Sequence, residues 1–297
     1  MSEFKKLLFI VNKRAGTGFQ ESLEGKILDA CAHHQVECAI EFTSSRGHAT
    51  ELAKNGIHDF DAIVAVGGDG TVNEVARGLV HTTAIMGIIP KGSGNGLARH
   101  LRIPLKLDRA LNTLFTSKVV SMDSFLINNQ LSVNVSGFGF DGHIANLFDH
   151  TTKRGLWGYA KLVLKEYLSF KPFRWELCEN ENQSKHSSFM VAIANSSQFG
   201  NNASIAPDAS VTDNQLDLAI TQKIPFYRGV SAGIRLFNRT LKNNDLYFSK
   251  KITDCRIVSD NPLPYHIDGE PCEFAQEFSI QLLPSSIKIL VPDPHNI

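Results

Sequence analysis

Paired cysteines and an excess of charge of one sign are both missing from this chain. Five cysteines occur among its 297 residues, and none belongs to a CxxC pair: Cys31, Cys38, Cys178, Cys255 and Cys272. A scattered, odd set of this kind favours reduced packing thiols over a zinc site or a disulfide framework. The 30 basic and 30 acidic residues cancel, so the basic field of most nucleic-acid-binding proteins is absent. We therefore expect no nucleic-acid partner.

Long apolar runs are missing as well. No stretch reaches the length of about 18 apolar residues that a transmembrane helix needs. The N-terminus, MSEFKKLLFIVNK, has too short an apolar run for a secretory signal. We expect a cytoplasmic protein without a transmembrane segment, which could still associate peripherally with the inner membrane surface.

The most informative stretch is Asp61 to Gly78, which reads DAIVAVGGDGTVNEVARG. Its apolar run predicts a buried parallel strand, and the pattern after it predicts a helix. Gly67, Gly68 and Gly70 between them let backbone N–H groups approach an anion, and the helix dipole adds positive potential. Asp69 would repel a phosphate unless a divalent cation or a proton in transit lay between them, which favours phosphoryl transfer. The alternative is a glycine-rich turn that binds nothing.

A second strand, glycine-rich turn and helix follow at Ile85 to His100, which read IMGIIPKGSGNGLARH. In this turn Gly92 precedes Ser93 and Asn95, whose hydroxyl and carboxamide can satisfy a phosphate or a metal-bound water, or simply form the turn. Two such turns about 20 residues apart can lie on neighbouring parallel strands and face one crevice. The pair is more specific than either turn alone.

The wider pattern predicts two domains of different class. The first 118 residues alternate strand and helix signals, which predict a doubly wound, three-layer α/β/α domain with a parallel sheet. After Val119, short alternating runs predict a mostly antiparallel β domain, with Asn128 and Asn129 as a hairpin turn. Two helical patterns, at 156–170 and 226–240, interrupt these strands. The predicted fold class is α/β plus mostly β.

Two motifs, GGDGTVNE at Gly67–Glu74 and PKGSGNGLA at Pro90–Ala98, resemble those of the diacylglycerol kinase catalytic-domain family of lipid kinases, which includes bacterial diacylglycerol kinases and sphingosine kinases. The resemblance runs nearly end to end through four further segments: FIVNKRAGTG at Phe9–Gly18, FTSSRGHATELA at Phe42–Ala53, SGFGFDG at Ser136–Gly142 and HIDGEP at His266–Pro271. It implies an ATP-binding domain at 1–120, to which the segment 286–297 returns. It also implies a β-sandwich-like lipid-substrate domain at 121–285, with the active site in the interdomain cleft.

The resemblance further implies roles for individual residues. The general base is expected at Asp69 or Glu270, because a carboxylate can both ligate Mg²⁺ and accept a proton. Contacts to ATP are expected from the residues that match the family motifs: Asn12, Thr43, Gly67, Gly68, Asp69, Gly70, Thr71, Gly92, Ser93, Asn95, Arg154, Asp268, Gly269 and Glu270. Without the family, Asn12 would be a polar strand end, Thr43 a helix N-cap and the DGEP segment an ordinary hairpin turn.

The resemblance also covers acceptor and metal positions, with two departures from the family pattern. Asp141 matches a position that can contact the substrate head group, although a turn aspartate is the alternative. Asp213 and Asp217 match a segment that holds a structural Mg²⁺ in some bacterial members, but the glycine that usually follows the first aspartate is Asn214 here. Bacterial diacylglycerol kinases usually carry an acidic residue at the position of Gly96. A small residue there resembles the sphingosine kinase branch instead.

The implied activity is ATP- and Mg²⁺-dependent transfer of a γ-phosphoryl group to a primary hydroxyl of a lipid at the membrane surface. Diacylglycerol, a sphingoid base and related lipids all stay open as acceptors. A kinase of a soluble metabolite, similar to NAD kinases, and a non-catalytic nucleotide or lipid sensor are the alternatives. An apolar stripe on the predicted helix at 156–170, which includes Val163, Leu164 and Tyr167, would suit a lipid cleft, but its flanking charges favour burial in the core.

Overall fold

A computed structural model of the protein describes residues 4–16, 22–149, 156–179 and 182–293. Within it the chain divides into two compact units. The first unit comprises Met1–Asp123 and Pro284–Ile297, and the second comprises Ser124–Leu283.

Strands and helices alternate through the first unit. Its elements are β1 (Lys6–Val11), α1 (Ser22–His33), β2 (Glu37–Phe42), α2 (His48–Gly56), β3 (Ala62–Gly67), α3 (Asp69–Leu79), β4 (Ile85–Pro90), α4 (Gly96–His100) and α5 (Leu107–Leu114). Strands β2, β1, β3 and β4 pair in that order, and every pairing is parallel. The predicted α/β class with a parallel sheet is confirmed.

The central strand of this sheet is completely buried. All six residues of β3, AIVAVG, are buried, as expected for a parallel strand covered on both faces. Complete burial of a valine or isoleucine side chain is worth about 1.5–3 kcal/mol, so this strand is a main source of the unit's stability. The strand order reverses between β1 and β3, and in doubly wound sheets ligands bind outside the carboxyl ends of the strands at such a reversal. The loops that follow β1 and β3 are therefore where a ligand is expected.

The remainder of the chain is mostly β. Its elements are β5 (Lys118–Ile127), β6 (Gln130–Ser132), β7 (Val135–Gly139), α6 (Phe140–Asp149), α7 (Leu156–Ser169), β8 (Phe173–Glu179), β9 (Asn182–Ser188), β10 (Met190–Ala194), β11 (Gln198–Gly200), β12 (Ala203–Ser204), β13 (Leu216–Thr221), α8 (Phe226–Phe237), β14 (Tyr247–Ile252), β15 (Cys255–Ile267) and β16 (Glu270–Val291). Strands β14, β13, β10, β7 and β15 pair in that order and antiparallel. The predicted β-rich second half is confirmed.

Two elements carry the chain between the units. Strand β5 begins in the first unit and ends in the second, and β16 runs the other way. The last part of β16 pairs parallel with β4, with Lys288 opposite Ile85. The first unit therefore gains a fifth parallel strand from the end of the chain.

The core of the second unit is aromatic. Phe138 and Phe278 stack with ring centroids 4.5 Å apart, and buried Trp175 donates its indole N–H to Ser188 Oγ at 2.9 Å. At its edge, Asn128 and Asn129 have φ values of 47° and 64° and join β5 to β6, which confirms the predicted hairpin turn.

The two predicted helical interruptions are α7 and α8. Among the described side chains of α7, Val163 and Tyr167 pack against the buried cluster that contains Phe140 and Phe189, as predicted. Leu164 is 60% exposed, so its predicted burial is wrong. Periodicity identifies an apolar stripe but not the element that covers it. None of the described helices is long and apolar enough to cross a membrane.

Candidate active site

Asn12 lies at the reversal of the strand order, immediately after β1. Its backbone N–H donates to the carbonyl of Val66 at 3.0 Å, and its side-chain Nδ2 donates to Thr71 Oγ1 at 3.1 Å. Its Oδ1 accepts the N–H of Arg14 at 2.9 Å. Asn12 therefore fastens the loop after β1 to the first turn of α3, where two of the expected nucleotide contacts lie side by side.

The junction of β3 and α3 holds the expected phosphate loop. Helix α3 begins at Asp69 and has Gly68 as its N-cap, without a side-chain capping bond. A Cβ built on Gly67 would lie 2.4 Å from Thr71 Oγ1, so only glycine fits where the strand meets the helix. The residues from Gly67 to Thr71 thus lie at the positive end of a helix dipole, an arrangement that favours an anion.

The two glycine-rich loops pack backbone to backbone. A Cβ on Gly92 would lie 2.5 Å from Gly68 Cα, and the N–H of Lys91 donates to the carbonyl of Gly67 at 2.7 Å. Asp69 Oδ1 accepts the N–H of Gly96 at 2.7 Å. The structure therefore brings the first predicted loop directly against the second, and Asp69 is the side chain that joins them.

Within the second loop, the side chain of Asn95 bonds to its own turn. Asn95 is buried with φ 51°, its Oδ1 accepts the N–H of Gly92 at 2.8 Å, and its Nδ2 donates to the carbonyl of Gly92 at 2.7 Å. Ser93 lies exposed at the tip of the loop. Asn95 is therefore placed to hold the loop in shape, and Ser93 is placed to meet a ligand.

Lys91 is a cation beside these loops that the list of expected contacts omits. Its Nζ donates to the carbonyl of Ala15 at 3.1 Å, and burial lowers its pKa. Gly16 has φ +63°, and a Cβ there would lie 2.1 Å from the carbonyl oxygen of Lys91. These two contacts hold the loop after β1 against the second glycine loop. The signal in the sequence was a lysine directly before a glycine-rich turn.

Thr43 follows β2, and its backbone N–H donates to the carbonyl of Val11 at 3.0 Å. It does not cap α2, because the N-cap of that helix is Gly47. The carboxylate of Glu74 accepts the N–H groups of Gly47 at 2.9 Å and Ala49 at 3.1 Å instead. The last residue of the GGDGTVNE motif therefore caps a neighbouring helix.

The DGE segment of the second unit is a tight hairpin. Asp268 and Gly269 have φ values of 51° and 89° and connect β15 to β16, with Ile267 paired to Glu270. Two consecutive positive φ angles are typical of the favoured two-residue hairpin turns. The turn places the half-exposed Glu270 at the start of β16.

The carboxylate of Asp268 is a buried anchor. Its Oδ1 accepts the hydroxyl of Ser132 at 2.6 Å and the N–H of Asn134 at 3.0 Å, and its Oδ2 accepts the N–H of Val133 at 2.9 Å. Because these bonds hold the turn to the chain between β6 and β7, Asp268 fixes the position of Glu270.

Asp141 joins the same turn through His266. Asp141 Oδ2 lies 3.3 Å from His266 Nε2, and the N–H of Gly269 donates to His266 Nδ1 at 3.1 Å. Because Nδ1 accepts this hydrogen bond, the ring hydrogen is assigned to Nε2, which donates to Asp141. A Cβ on Gly137 would lie 2.0 Å from Asp141 Oδ2, which explains one glycine of the SGFGFDG segment.

His266 is the functional-site residue that sequence reasoning missed. Its side chain is 4% exposed and that of Asp141 is 11% exposed, so both are shielded from solvent. The available signal was its place in the HIDGEP segment, at the end of the strand that leads into the DGE turn.

A lysine lies between Asp213 and Asp217. Lys251 Nζ is 2.8 Å from Asp213 Oδ2 and 2.8 Å from Asp217 Oδ2, and burial raises the pKa of Asp217. Asn214 has φ 57°, a conformation that asparagine tolerates in place of glycine. The single ammonium group of Lys251 already contacts both carboxylates, so this donor set does not fit the structural Mg²⁺ that the resemblance implies. In the described part of the chain, no cluster of three or more ligating side chains occurs.

One expected contact, Arg154, lies outside the described residues. Most of the other expected residues fall into two groups, to which Thr43, Asp213 and Asp217 do not belong. The first unit brings together Asn12, Gly67 to Thr71 and the second glycine loop, and the second unit brings together Asp141 and the Asp268 to Glu270 turn.

Comparisons with known proteins agree along most of the chain. Residues 6–127 match the "Diacylglycerol kinase catalytic domain" family model, and residues 134–291 match the "YegS C-terminal NAD kinase beta sandwich-like domain". A relative in Chromohalobacter salexigens, named "Probable lipid kinase YegS-like", is 27% identical over 276 residues, which cover 91% of this chain and 87% of the relative. A relative of the same name in Klebsiella pneumoniae is 27% identical and covers 98% of both chains. The crystal structure of a diacylglycerol kinase from Bacillus anthracis shares the fold, with a TM-score of 0.78, 22% identity and full coverage of both chains.

Proposed function

The chain belongs to the diacylglycerol kinase catalytic-domain family, and from that premise we propose that it is a lipid kinase that transfers the γ-phosphoryl group of ATP to a primary hydroxyl of a lipid. The observation that carries the proposal is the contact between the two glycine-rich loops through Asp69 and Gly96. A single loop of this kind occurs in many nucleotide-binding folds, whereas two loops joined by an aspartate form a preorganised cradle for a polyphosphate.

In this proposal the first unit holds ATP. Phosphoryl transfer has a loose transition state, so the protein mainly positions the two reactants and neutralises charge. The amides at the start of α3 face the phosphates, Ser93 contacts them from the second loop, and Lys91 adds positive charge. Asn12 and Thr43 hold the neighbouring loops in register.

Mg²⁺ is proposed as the divalent cation of the reaction. Mg²⁺ is usually bound by one or two carboxylates together with substrate phosphates, so a cage of several protein ligands is not required. Asp69 is the carboxylate of the phosphate loop that would hold it, and the cation would neutralise charge on the transferring group.

The second unit supplies the acceptor side. Asp69 already accepts a backbone N–H in the loop contact, whereas Glu270 follows a rigid turn that Asp268 anchors. We therefore assign Glu270 as the general base that takes the proton of the acceptor hydroxyl. Asp141 is assigned to the head group of the lipid, with its orientation set by His266.

The proposal is tested by transfer of label from γ-labelled ATP, with Mg²⁺, into diacylglycerol, sphingosine, ceramide and total bacterial lipid presented in mixed micelles. The matched variants are Glu270→Gln and Glu273→Gln, because Glu273 is an exposed carboxylate on the same strand. General-base catalysis contributes about 10²- to 10⁴-fold, so Glu270→Gln should lose turnover by at least about 100-fold while Glu273→Gln keeps it.

The outcomes separate the alternatives. Label in an organic-phase product establishes a lipid kinase and identifies the acceptor. In a parallel reaction with bacterial cytosolic extract, label in a water-soluble product other than phosphate would show a metabolite kinase. ATP binding without any transferred label would show a sensor. Loss of label on chelation of the metal, with recovery on addition of Mg²⁺, tests the cation.

A further inference from the structure

Helix α8 presents a large apolar surface to solvent. Five of its side chains are more than half exposed: Phe226 at 82%, Tyr227 at 79%, Val230 at 77%, Ile234 at 56% and Phe237 at 54%. At about 100° per residue these positions fall within one sector of the helix surface. Among its twelve described residues none is buried. Scattered exposed apolar residues are common, but a contiguous set of this size marks an interaction surface.

This sector faces away from the protein. Leu236, which lies on another side of α8, packs against the buried cluster that contains Ala192, Ile205 and Tyr247. The helix is therefore seated through Leu236 and leaves its aromatic side uncovered in the described part of the chain.

The end of helix α7 is bonded to the residues that precede α8. Lys223 Nζ donates to the carbonyls of Leu168 at 3.3 Å and Phe170 at 2.7 Å, and the hydroxyl of Tyr167 donates to the carbonyl of Ile224 at 2.5 Å. These bonds hold the C-terminal end of α7 beside the residues that lead into α8. We call the exposed apolar side chains of these two helices the apolar patch: Leu164, Leu168, Phe226, Tyr227, Val230, Ile234 and Phe237.

The segment that carries α8 has charge of one sign. Residues 223–244 contain five basic side chains and no acidic one, although the whole chain has no net charge; the five are Lys223, Arg228, Arg235, Arg239 and Lys242. Arg228 pairs with Asp245 at 2.7 Å just beyond this segment. Arg235, Arg239 and Lys242 are exposed. An amphipathic helix with aromatic residues on one face and cations beside them is the pattern of an interfacial membrane helix.

We propose that the apolar patch and its basic flank dock the protein on a bilayer that contains anionic lipids. The aromatic and aliphatic side chains enter the boundary between headgroups and acyl chains, and the arginines and Lys242 meet the lipid phosphates. Complementary charge favours a membrane over an apolar groove of a protein, which would need no cluster of cations. The docking rests on the proposed function, because it would bring the lipid acceptor to the active site. Binding of the protein to the bilayer, however, requires neither ATP nor turnover.

Co-flotation with vesicles tests the docking without catalysis. The vesicles are pure phosphatidylcholine, or phosphatidylcholine mixed with phosphatidylglycerol, and the variants are Val230→Asp, Phe237→Ser and the pair Arg235→Glu with Arg239→Glu. The control is Leu28→Asp, since Leu28 is 51% exposed on α1 of the first unit. Because the altered side chains are exposed, thermal unfolding should show all variants folded.

The wild type should float with the anionic vesicles, less with the neutral ones, and less as salt is added. The apolar variants should lower the vesicle association constant at least tenfold, the charge reversal should lower it on anionic vesicles alone, and Leu28→Asp should leave it unchanged. Wild-type protein that does not float, or patch variants that float equally well, would overturn the proposal. So would a homodimer in light scattering that Val230→Asp dissociates, because the patch would then bind a second copy.

A second assay separates this proposal from the kinase assignment. With a short-chain, water-soluble acceptor the patch variants should keep wild-type turnover, and with the acceptor embedded in anionic vesicles they should lose it. Turnover that falls equally with both acceptors would overturn docking as the role of the patch, while leaving the kinase assignment intact.

Discussion

Asp69 Oδ1 accepts the backbone N–H of Gly96 at 2.7 Å, across 27 positions of the sequence. Position 96 is where bacterial relatives of this family were expected to carry an acidic side chain. The contact uses only the backbone N–H, so any residue but proline could supply it. The absence of the acidic side chain therefore leaves this hydrogen bond between the two loops intact.

The close approach of the same loops predicts a strict size limit at Gly92. A Cβ there would lie 2.5 Å from Gly68 Cα and 2.9 Å from Asn95 Oδ1, so Gly92→Ala must push the loops apart. Overpacking of this kind costs about 1–3 kcal/mol. We expect the free energy of unfolding to fall by that amount and ATP affinity to fall with it, measured by chemical denaturation and calorimetry.

The control for this change is Gly25→Ala on α1, where nothing lies within 4 Å of the added Cβ. Replacing a helical glycine by alanine should stabilise the protein by about 0.5–1 kcal/mol, with no change in ATP affinity. Equal ATP affinity in the Gly92→Ala variant and the wild type would contradict the view that the loops form one nucleotide site.

Local signals in the sequence predicted much of the fold. The strand before Gly67 and the helix after it follow from an apolar run and a glycine-rich turn, and the hairpin at Asn128 follows from two residues that tolerate positive φ. Such signals lie within a few residues of the structure that they determine. The contact of the two glycine loops was also within reach, because parallel strands place their carboxyl ends at one edge.

Contacts between distant residues were out of reach. His266 and Asp141 are 125 positions apart, and Lys251 and Asp217 are 34 apart, so no local pattern pairs them. The periodicity of α7 revealed a stripe but not that Leu164 would remain exposed. The composition of residues 223–244 was visible, yet only the seating of α8 through Leu236 shows which face is uncovered.

His266 should act by positioning the DGE turn, and its variants should separate its two hydrogen bonds. His266→Asn can keep an acceptor for the N–H of Gly269, and His266→Gln can keep a donor for Asp141, whereas His266→Phe keeps neither. A buried group left without a partner costs about 1–3 kcal/mol. In chemical denaturation the two amide variants should be less stable than the wild type, and His266→Phe the least stable.

Turnover distinguishes positioning from a purely structural role. Each amide variant should lose kcat, and His266→Gln should keep KM for the lipid closer to wild type because it still orients Asp141. Nitrogen-15 NMR of the wild-type imidazole should show hydrogen on Nε2. Hydrogen on Nδ1, or full turnover in His266→Phe, would contradict the assignment.

The ion pairs of Lys251 predict a pH-dependent loss of stability when the lysine is removed. Burial acts to lower the pKa of Lys251, but its hydrogen bonds to Asp213 and Asp217 raise it overall. The stability from this raised pKa is therefore fully present below the ordinary lysine pKa and is lost as the pH rises through the folded value. Burial raises the pKa of Asp217, and Lys251 opposes that rise. Without the ammonium, the pKa of Asp217 must rise further.

Lys251→Met should thus destabilise the protein by roughly 2 kcal/mol at neutral pH. This loss is smaller than the usual cost of breaking a buried ion pair, because the Lys251 side chain is 34% exposed. In the window between the unfolded and folded pKa values of Asp217, the folded variant binds more protons than the unfolded chain, so its stability falls as the pH rises. The deficit should therefore shrink as the pH is lowered from about 7 towards about 4, and Asp217→Asn in the same variant should recover most of it at neutral pH. Urea denaturation across this pH range measures both effects. A deficit of the same size at every pH would mean that Lys251 contributes packing and not charge.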